Sequence, residues 1–185
     1  MAYSSILKPS LYMNTKLYTG DGAASHAITG VGFQPDWVWL KNRSGADNNS
    51  LNDVVRGANK NLVSNNANSE ATTTDQLMSF NSDGFTVGAS GSANTNGNNF
   101  VGWNWKAGTA VSGSTTGSGT AKTYTGSVNT TSGFSIIKYT GNGTAGHTIP
   151  HHLGAVPKMI IVKKIASGAD WMVYHNQLGT TNPSD

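Results

Sequence analysis

The feature that most constrains this chain is a plan it writes twice. Gly32-Phe33-Gln34-Pro35-Asp36-Trp37-Val38-Trp39-Leu40-Lys41 runs glycine, two residues, proline, a polar residue, four apolar residues and lysine, with Ser44-Gly45-Ala46-Asp47 behind it. Gly154-Ala155-Val156-Pro157-Lys158-Met159-Ile160-Ile161-Val162-Lys163 repeats that order, again followed by Ser167-Gly168-Ala169-Asp170. Upstream, Leu17-Tyr18-Thr19-Gly20-Asp21-Gly22 matches Lys138-Tyr139-Thr140-Gly141-Asn142-Gly143, and His26-Ala27-Ile28 matches His147-Thr148-Ile149. The offset drifts from 121 through 122 to 123, as two single-residue loop insertions would produce. A match of this length predicts tandem copies of one fold.

Proline gives a ladder no N–H, so it belongs just before a strand rather than inside one. The four apolar residues behind each proline are too few for a buried helix and rich in aromatic or β-branched types. They predict central strands covered on both faces. Trp37, Val38, Trp39 and Leu40, with Ile160, Ile161 and Val162, are therefore the expected structural core. Asn81-Ser82-Asp83-Gly84 reads as a hairpin turn between Gln76–Phe80 and Phe85–Val87. Only 11% of the residues are charged and 23 are glycine, which suits many turns and neutral polar loops. The expected fold class is all-β: two tandem β-sandwich domains, the second incomplete.

The expected boundaries are an N-terminal arm at 1–13, a first sandwich at 14–106, a flexible Gly/Ser/Thr linker at 107–121, and a truncated second copy at 122–185. By register, Asp185 corresponds to about Leu62, so the native protein is expected to continue or to be completed by neighbouring chains. Ile6, Leu7, Leu11 and Tyr12 make the arm a candidate docking segment.

Several chemistries find no support. The chain has no cysteine, which removes disulfides, thiolate metal sites and thiol nucleophiles. His147, His151 and His152 invite a metal, but Pro150 breaks any helix that would align them, and no metal or other cofactor is expected. A glycosidase needs two placed carboxylates, and Glu70 is the only glutamate, in an Asn-rich loop. Gly117-Ser118-Gly119-Thr120-Ala121-Lys122-Thr123 lacks the glycine that precedes the lysine of a phosphate loop. No catalytic residue is expected, and the chain is read as a non-enzyme. The net charge of +3 is scattered, which argues against nucleic acid. No secretory signal or membrane span is evident, and assembly in a cytoplasm is expected. Trp103 and Trp105 lie two apart on one strand face and are candidate glycan-stacking residues, although core packing is the favoured role.

The ordered motifs Gly32–Arg43, Val55-Arg56-Gly57, Ser82-Asp83-Gly84-Phe85, Trp103-Asn104-Trp105-Lys106-Ala107, Gly133–Gly143 and Trp171-Met172-Val173-Tyr174-His175 resemble a family of tail and fibre-like virion proteins of tailed phages from marine and freshwater bacteria, cyanophages included. That resemblance implies concanavalin- or jelly-roll-like sandwiches in tandem, carried on a virion, and brings no catalytic residues with it. This chain departs from the pattern at His151-His152, where a Gly-rich turn is more usual. The implied function is a tail fibre or tail-associated adhesin, exposed on the particle and anchored through its N-terminal part. Expected partners are other virion proteins, further copies in a homotrimer, and host glycan. A carbohydrate-binding module, a capsid decoration protein, and a depolymerase with a catalytic domain elsewhere are the alternatives.

Overall fold

The computed structural model describes residues 6–178. They form an all-β protein with several sheets. In chain order the first copy holds β1 (Met13–Thr19), β2 (His26–Thr29), β3 (Trp37–Asn42), β4 (Ser50–Asp53), β5 (Lys60–Val63), β6 (Ala71–Thr72), β7 (Leu77–Asn81), β8 (Gly84–Val87) and β9 (Asn99–Trp105), with one helical turn, α1 (Gly91–Asn94), before β9. One sheet has the order β1-β9-β3-β4-β5-β6 and a second the order β2-β8-β7, with antiparallel pairing throughout.

The period-two alternation of β3 explains its place. Val38 and Leu40 point to one face and are fully buried, while Trp37 and Trp39 point to the other. Val38 and Leu40 join Ile28, Leu77, Phe85, Val87 and Ala93 in one apolar cluster drawn from both sheets. Each of these side chains other than Ala93 contributes about 1.5–3 kcal/mol on burial. Pro35 stands two residues before β3, where no ladder N–H is needed. The β7–β8 turn is the expected one: Asn81 pairs with Gly84, which takes φ +143 and has no room for a side chain beside the Ile28 carbonyl.

The expected linker is where sequence and structure part. Within 107–121, residues form β10 (Thr109–Ser114) and β11 (Thr116–Gly117), followed by β12 (Thr123–Asn129), β13 (Phe134–Tyr139), β14 (His147–Thr148), β15 (Met159–Val162) and β16 (Met172–His175). β10 pairs with β12 from Thr109↔Val128 to Ser114↔Thr123, and β11 pairs with β14. A ladder is made by backbone groups, so Gly, Ser and Thr can hold it without burying side chains. In the first copy β8 pairs with β2; in the second, β11 takes that part beside β14, the counterpart of β2.

The repeat is visible in register. Trp37↔Asp53, Val38↔Asn52, Trp39↔Leu51 and Leu40↔Ser50 of the β3–β4 hairpin become Met159↔His175, Ile160↔Tyr174, Ile161↔Val173 and Val162↔Met172, every residue offset by 122. The lysine behind each strand does the same work: Lys41 Nζ donates to the Asp47 carbonyl and Lys163 Nζ to the Ala169 carbonyl, both at 2.6 Å.

Burial, however, is not repeated. Ile160, Ile161 and Val162, expected in a core, are 43%, 43% and 39% exposed. Among the described residues their hairpin forms a two-stranded sheet alone, whereas β3 is flanked by β9 and faces the second sheet.

Candidate functional site

The β3–β9 register sets Trp37 opposite Trp105 and Trp39 opposite Trp103, on the face turned away from the apolar cluster. Ring centroids lie 4.8 Å and 5.6 Å apart. Trp37 and Trp39 are thus half-buried outside the core expected for them, because alternation sends Val38 and Leu40 inward instead. Phe134 of β13 stacks on Trp37 at 5.6 Å and 12°, and reaches Trp105 at 6.3 Å. The candidate stacking residues Trp105 and Trp103 therefore meet neighbouring aromatic rings, and one of those rings comes from the second copy.

Asp36, one residue before β3, is 5% exposed. Its carboxylate accepts from the Ala107 N–H at 3.0 Å and the Ser127 hydroxyl at 2.9 Å, while Ser127 Oγ accepts from the Gly108 N–H at 3.0 Å. Its backbone N–H donates to the Trp105 carbonyl and its carbonyl accepts from Val54 N–H. One carboxylate thus ties the first copy, the joining segment and the second copy together. Beside it opens a groove of about 510 Å³ lined by Gln34, Asp36, Val54, Val111, Thr125 and Ser127, a size in the range of ligand sites. Asp36 and Ser127 are paired with each other there, and the Gln34 amide and the Thr125 hydroxyl are among the other polar side chains of its lining.

A second polar centre lies on the β4 side. Arg56 is buried, donating through Nε to Asp53, through one terminal nitrogen to Glu70 at 3.2 Å and the Lys60 carbonyl at 3.1 Å, and through the other to the Leu51 carbonyl at 3.0 Å. Asp53 and Glu70 are thus both held by one guanidinium. The Asp53-x-x-Arg56 spacing is the part of this cluster that is local in the sequence; Glu70 lies 14 residues further on from Arg56.

The remaining candidates are dispersed. His147 Nδ1 lies 2.8 Å from Asn142 Nδ2, His152 Nε2 lies 2.8 Å from the Tyr124 hydroxyl, and His151 Nδ1 accepts the Leu153 N–H. His152 adopts φ +58, the left-handed geometry that a glycine would take at such a turn. No three His, Asp or Glu side chains gather into a metal-binding group among the described residues. Among those residues, too, no helix is long and apolar enough to cross a membrane. In the arm, Leu7 and Leu11 are exposed, Ile6 and Tyr12 are half-buried, and the Tyr12 carbonyl accepts the Lys106 N–H at 2.8 Å.

Two surface carboxylates act as turn clasps. Asp83 accepts the N–H groups of Gly32 at 2.6 Å and Gly30 at 2.9 Å, which hold its carboxyl below the ordinary range. Asp21 is lowered in the same way, first by the Ala23 N–H and then by the buried Asn94 amide. Burial pushes the Tyr18 phenol above its ordinary value, and its hydroxyl donates to the Ala93 carbonyl at 2.7 Å.

Fold and site together define an all-β protein whose polar centres brace one segment against another. By family it belongs to the one described as Domain of unknown function (DUF7483), whose model matches residues 8–184. That match runs through both copies and the strands between them. No curated protein and no solved structure matches the chain.

Proposed function

We propose that this chain is a structural component of a phage particle, a tail fibre or tail-associated adhesin built from tandem β-sandwich copies, the second of them partial. The observation that carries the reading is the hairpin written twice in one register, β3–β4 and β15–β16, which is how a fibre extends by serial copies. The motif resemblance to virion proteins supports the placement on a particle. In this reading the N-terminal part anchors the chain, the second copy points outward, and the partners are other virion proteins and two further copies in a trimer. The mechanism is mechanical: sandwiches in series present a surface, and several copies multiply weak contacts with the host. No enzymatic step is assigned.

The test is the particle itself. Antibodies raised against the isolated chain are expected to label the tail under the electron microscope, and sedimentation of the chain is expected to give a trimer mass. Label over the head would make it a capsid decoration protein, and particles free of label would end the reading. The polar groove beside Asp36 favours a second reading, a carbohydrate-binding module. A glycan array comparing the chain with its Gln34→Ala variant separates the two.

A further inference from the structure

The loop between β5 and β6 is held from two directions by matching residues of the two copies. Asn49, one residue before β4, donates its backbone N–H to the Asn65 side-chain oxygen at 3.0 Å. Trp171 has the same place before β16, 122 residues further on. Its indole N–H donates to the Asn66 carbonyl at 2.9 Å and reaches the Val63 carbonyl at 3.3 Å. The repeated lysine joins in. Lys41 donates within its own loop to the Asp47 carbonyl, whereas Lys163 Nζ donates to the matching Ala169 carbonyl and also, across the copies, to the Ala67 carbonyl at 3.0 Å. Its charge lies 5.7 Å from the centre of the Trp171 ring. Two backbone bonds complete the contact: Ala169 N–H donates to the Ala67 carbonyl at 2.9 Å and Glu70 N–H to the Ile165 carbonyl at 3.0 Å. The Glu70 carboxylate accepts in turn from Arg56, which holds Asp53 of β4.

We propose that Trp171 and Lys163 form a latch that fixes the second copy's hairpin against the first copy, and that Glu70 couples this latch to the buried Arg56 centre. The acceptors on the first-copy side are the main-chain carbonyls of Val63, Asn66 and Ala67, so the latch reads the path of the backbone there. Its selectivity lies on the other side, in the change from Asn49 to Trp171. An indole N–H is a donor only, and its ring adds apolar area and a face for the lysine charge. The latch is a second fastening between the copies, made by residues other than Asp36, Ala107 and Ser127. Coupling between two such sites is reciprocal. If the docked hairpin steadies the β5–β6 loop, then loosening that loop from the Arg56 side loosens the hairpin by the same factor. The inference concerns the chain alone and goes beyond any placement on a particle, so the two stand or fall separately.

The test is hydrogen exchange of the full chain, read at single N–H groups. Trp171→Phe keeps a ring beside Lys163 and removes only the bonds to the Asn66 and Val63 carbonyls. Exchange at the Glu70 and Ala169 N–H groups is expected to rise about tenfold, the effect of losing one or two hydrogen bonds from a local opening unit. Exchange at Val38 and Leu40, in the core of the first copy, is expected to stay as it was. Glu70→Gln approaches the latch from the other end, since the carboxylate it removes is spent on Arg56 inside the first copy. It is expected to raise exchange at Ala169, in the second copy, by about fivefold, the low end for coupled sites. Unchanged exchange at Glu70 and Ala169 in Trp171→Phe overturns the latch. Unchanged exchange at Ala169 in Glu70→Gln overturns its coupling to Arg56. An equal rise at Val38 and Leu40 in both variants also overturns the proposal, because the residues would then act on the whole fold rather than on this contact.

Discussion

Replacing Arg56 with methionine tests whether the polar centre beside β4 holds the first copy together. The Arg56 and Asp53 side chains are 7% and 8% exposed, so neither can fall back on water when the other is removed. Methionine keeps most of the aliphatic stem and the backbone N–H that donates to Asp53 at 2.9 Å. It removes the charge opposite Asp53 and Glu70 and the donors to the Leu51 and Lys60 carbonyls. Breaking a buried pair from one side costs about 3–5 kcal/mol, most of it the desolvated carboxylate left behind. With a urea slope of about 2 kcal/mol/M, the midpoint should fall by about 1.5–2.5 M. Tryptophan fluorescence is the natural readout, because Trp37 sits directly across the ladder from Asp53. Adding Asp53→Asn to the variant should recover part of the loss, since the stranded charge is then gone. A midpoint shift under about 0.5 M, or strictly additive single and double variants, would refute this account of Arg56.

Three other perturbations follow from particular contacts. Phe134→Ala removes the ring stacked on Trp37 and should cost about 2–4 kcal/mol, with a red shift in tryptophan emission as Trp37 is wetted; unchanged emission would contradict the stacking. Gly102→Val should destabilise by about 1–3 kcal/mol, because even a Cβ there lies 3.1 Å from the Phe85 ring and 3.3 Å from Leu40. Combining it with Phe85→Leu should return part of that stability in a thermal melt. For Asp83, whose folded pKa is depressed, the contribution to stability is present above the ordinary carboxyl value of about 3.9 and is lost as pH falls through the folded value. Asp83→Asn should therefore flatten the fall of the melting temperature as pH drops below the ordinary carboxyl value, and an unchanged slope would remove Asp83 from the acid transition.

How far the sequence could be read depended on whether side chains or backbone carried the information. Pro35 and Pro157 announced where strands begin, and Asp83-Gly84 announced a hairpin, because each acts through its own geometry. The duplication could be followed down to the residue, and the pairs along β15–β16 repeat those along β3–β4. The strands β10 and β11 left no such trace, since Ser, Thr, Ala and Gly enter a ladder through groups that every residue has. Trp37 and Trp39 were readable as sharing a face, but a period of two does not say which face looks inward. That was decided by Phe85 and Ile28 arriving from the other sheet to pack with Val38 and Leu40. The part that the Asp36 carboxylate plays left no local trace, because its partners, Ala107 and Ser127, are 71 and 91 residues away in the chain.

The ladder between β10 and β12 changes how load would pass along such a molecule. A slack tether would let one copy swivel against the next and would stretch before anything broke. Here the segment is laced to β12 over six residue pairs and riveted at its root by Asp36. A pull along β10 would load those hydrogen bonds together rather than straighten a slack segment first. A protease hunting for a loose strand at Thr109–Ser114 would find it already woven in.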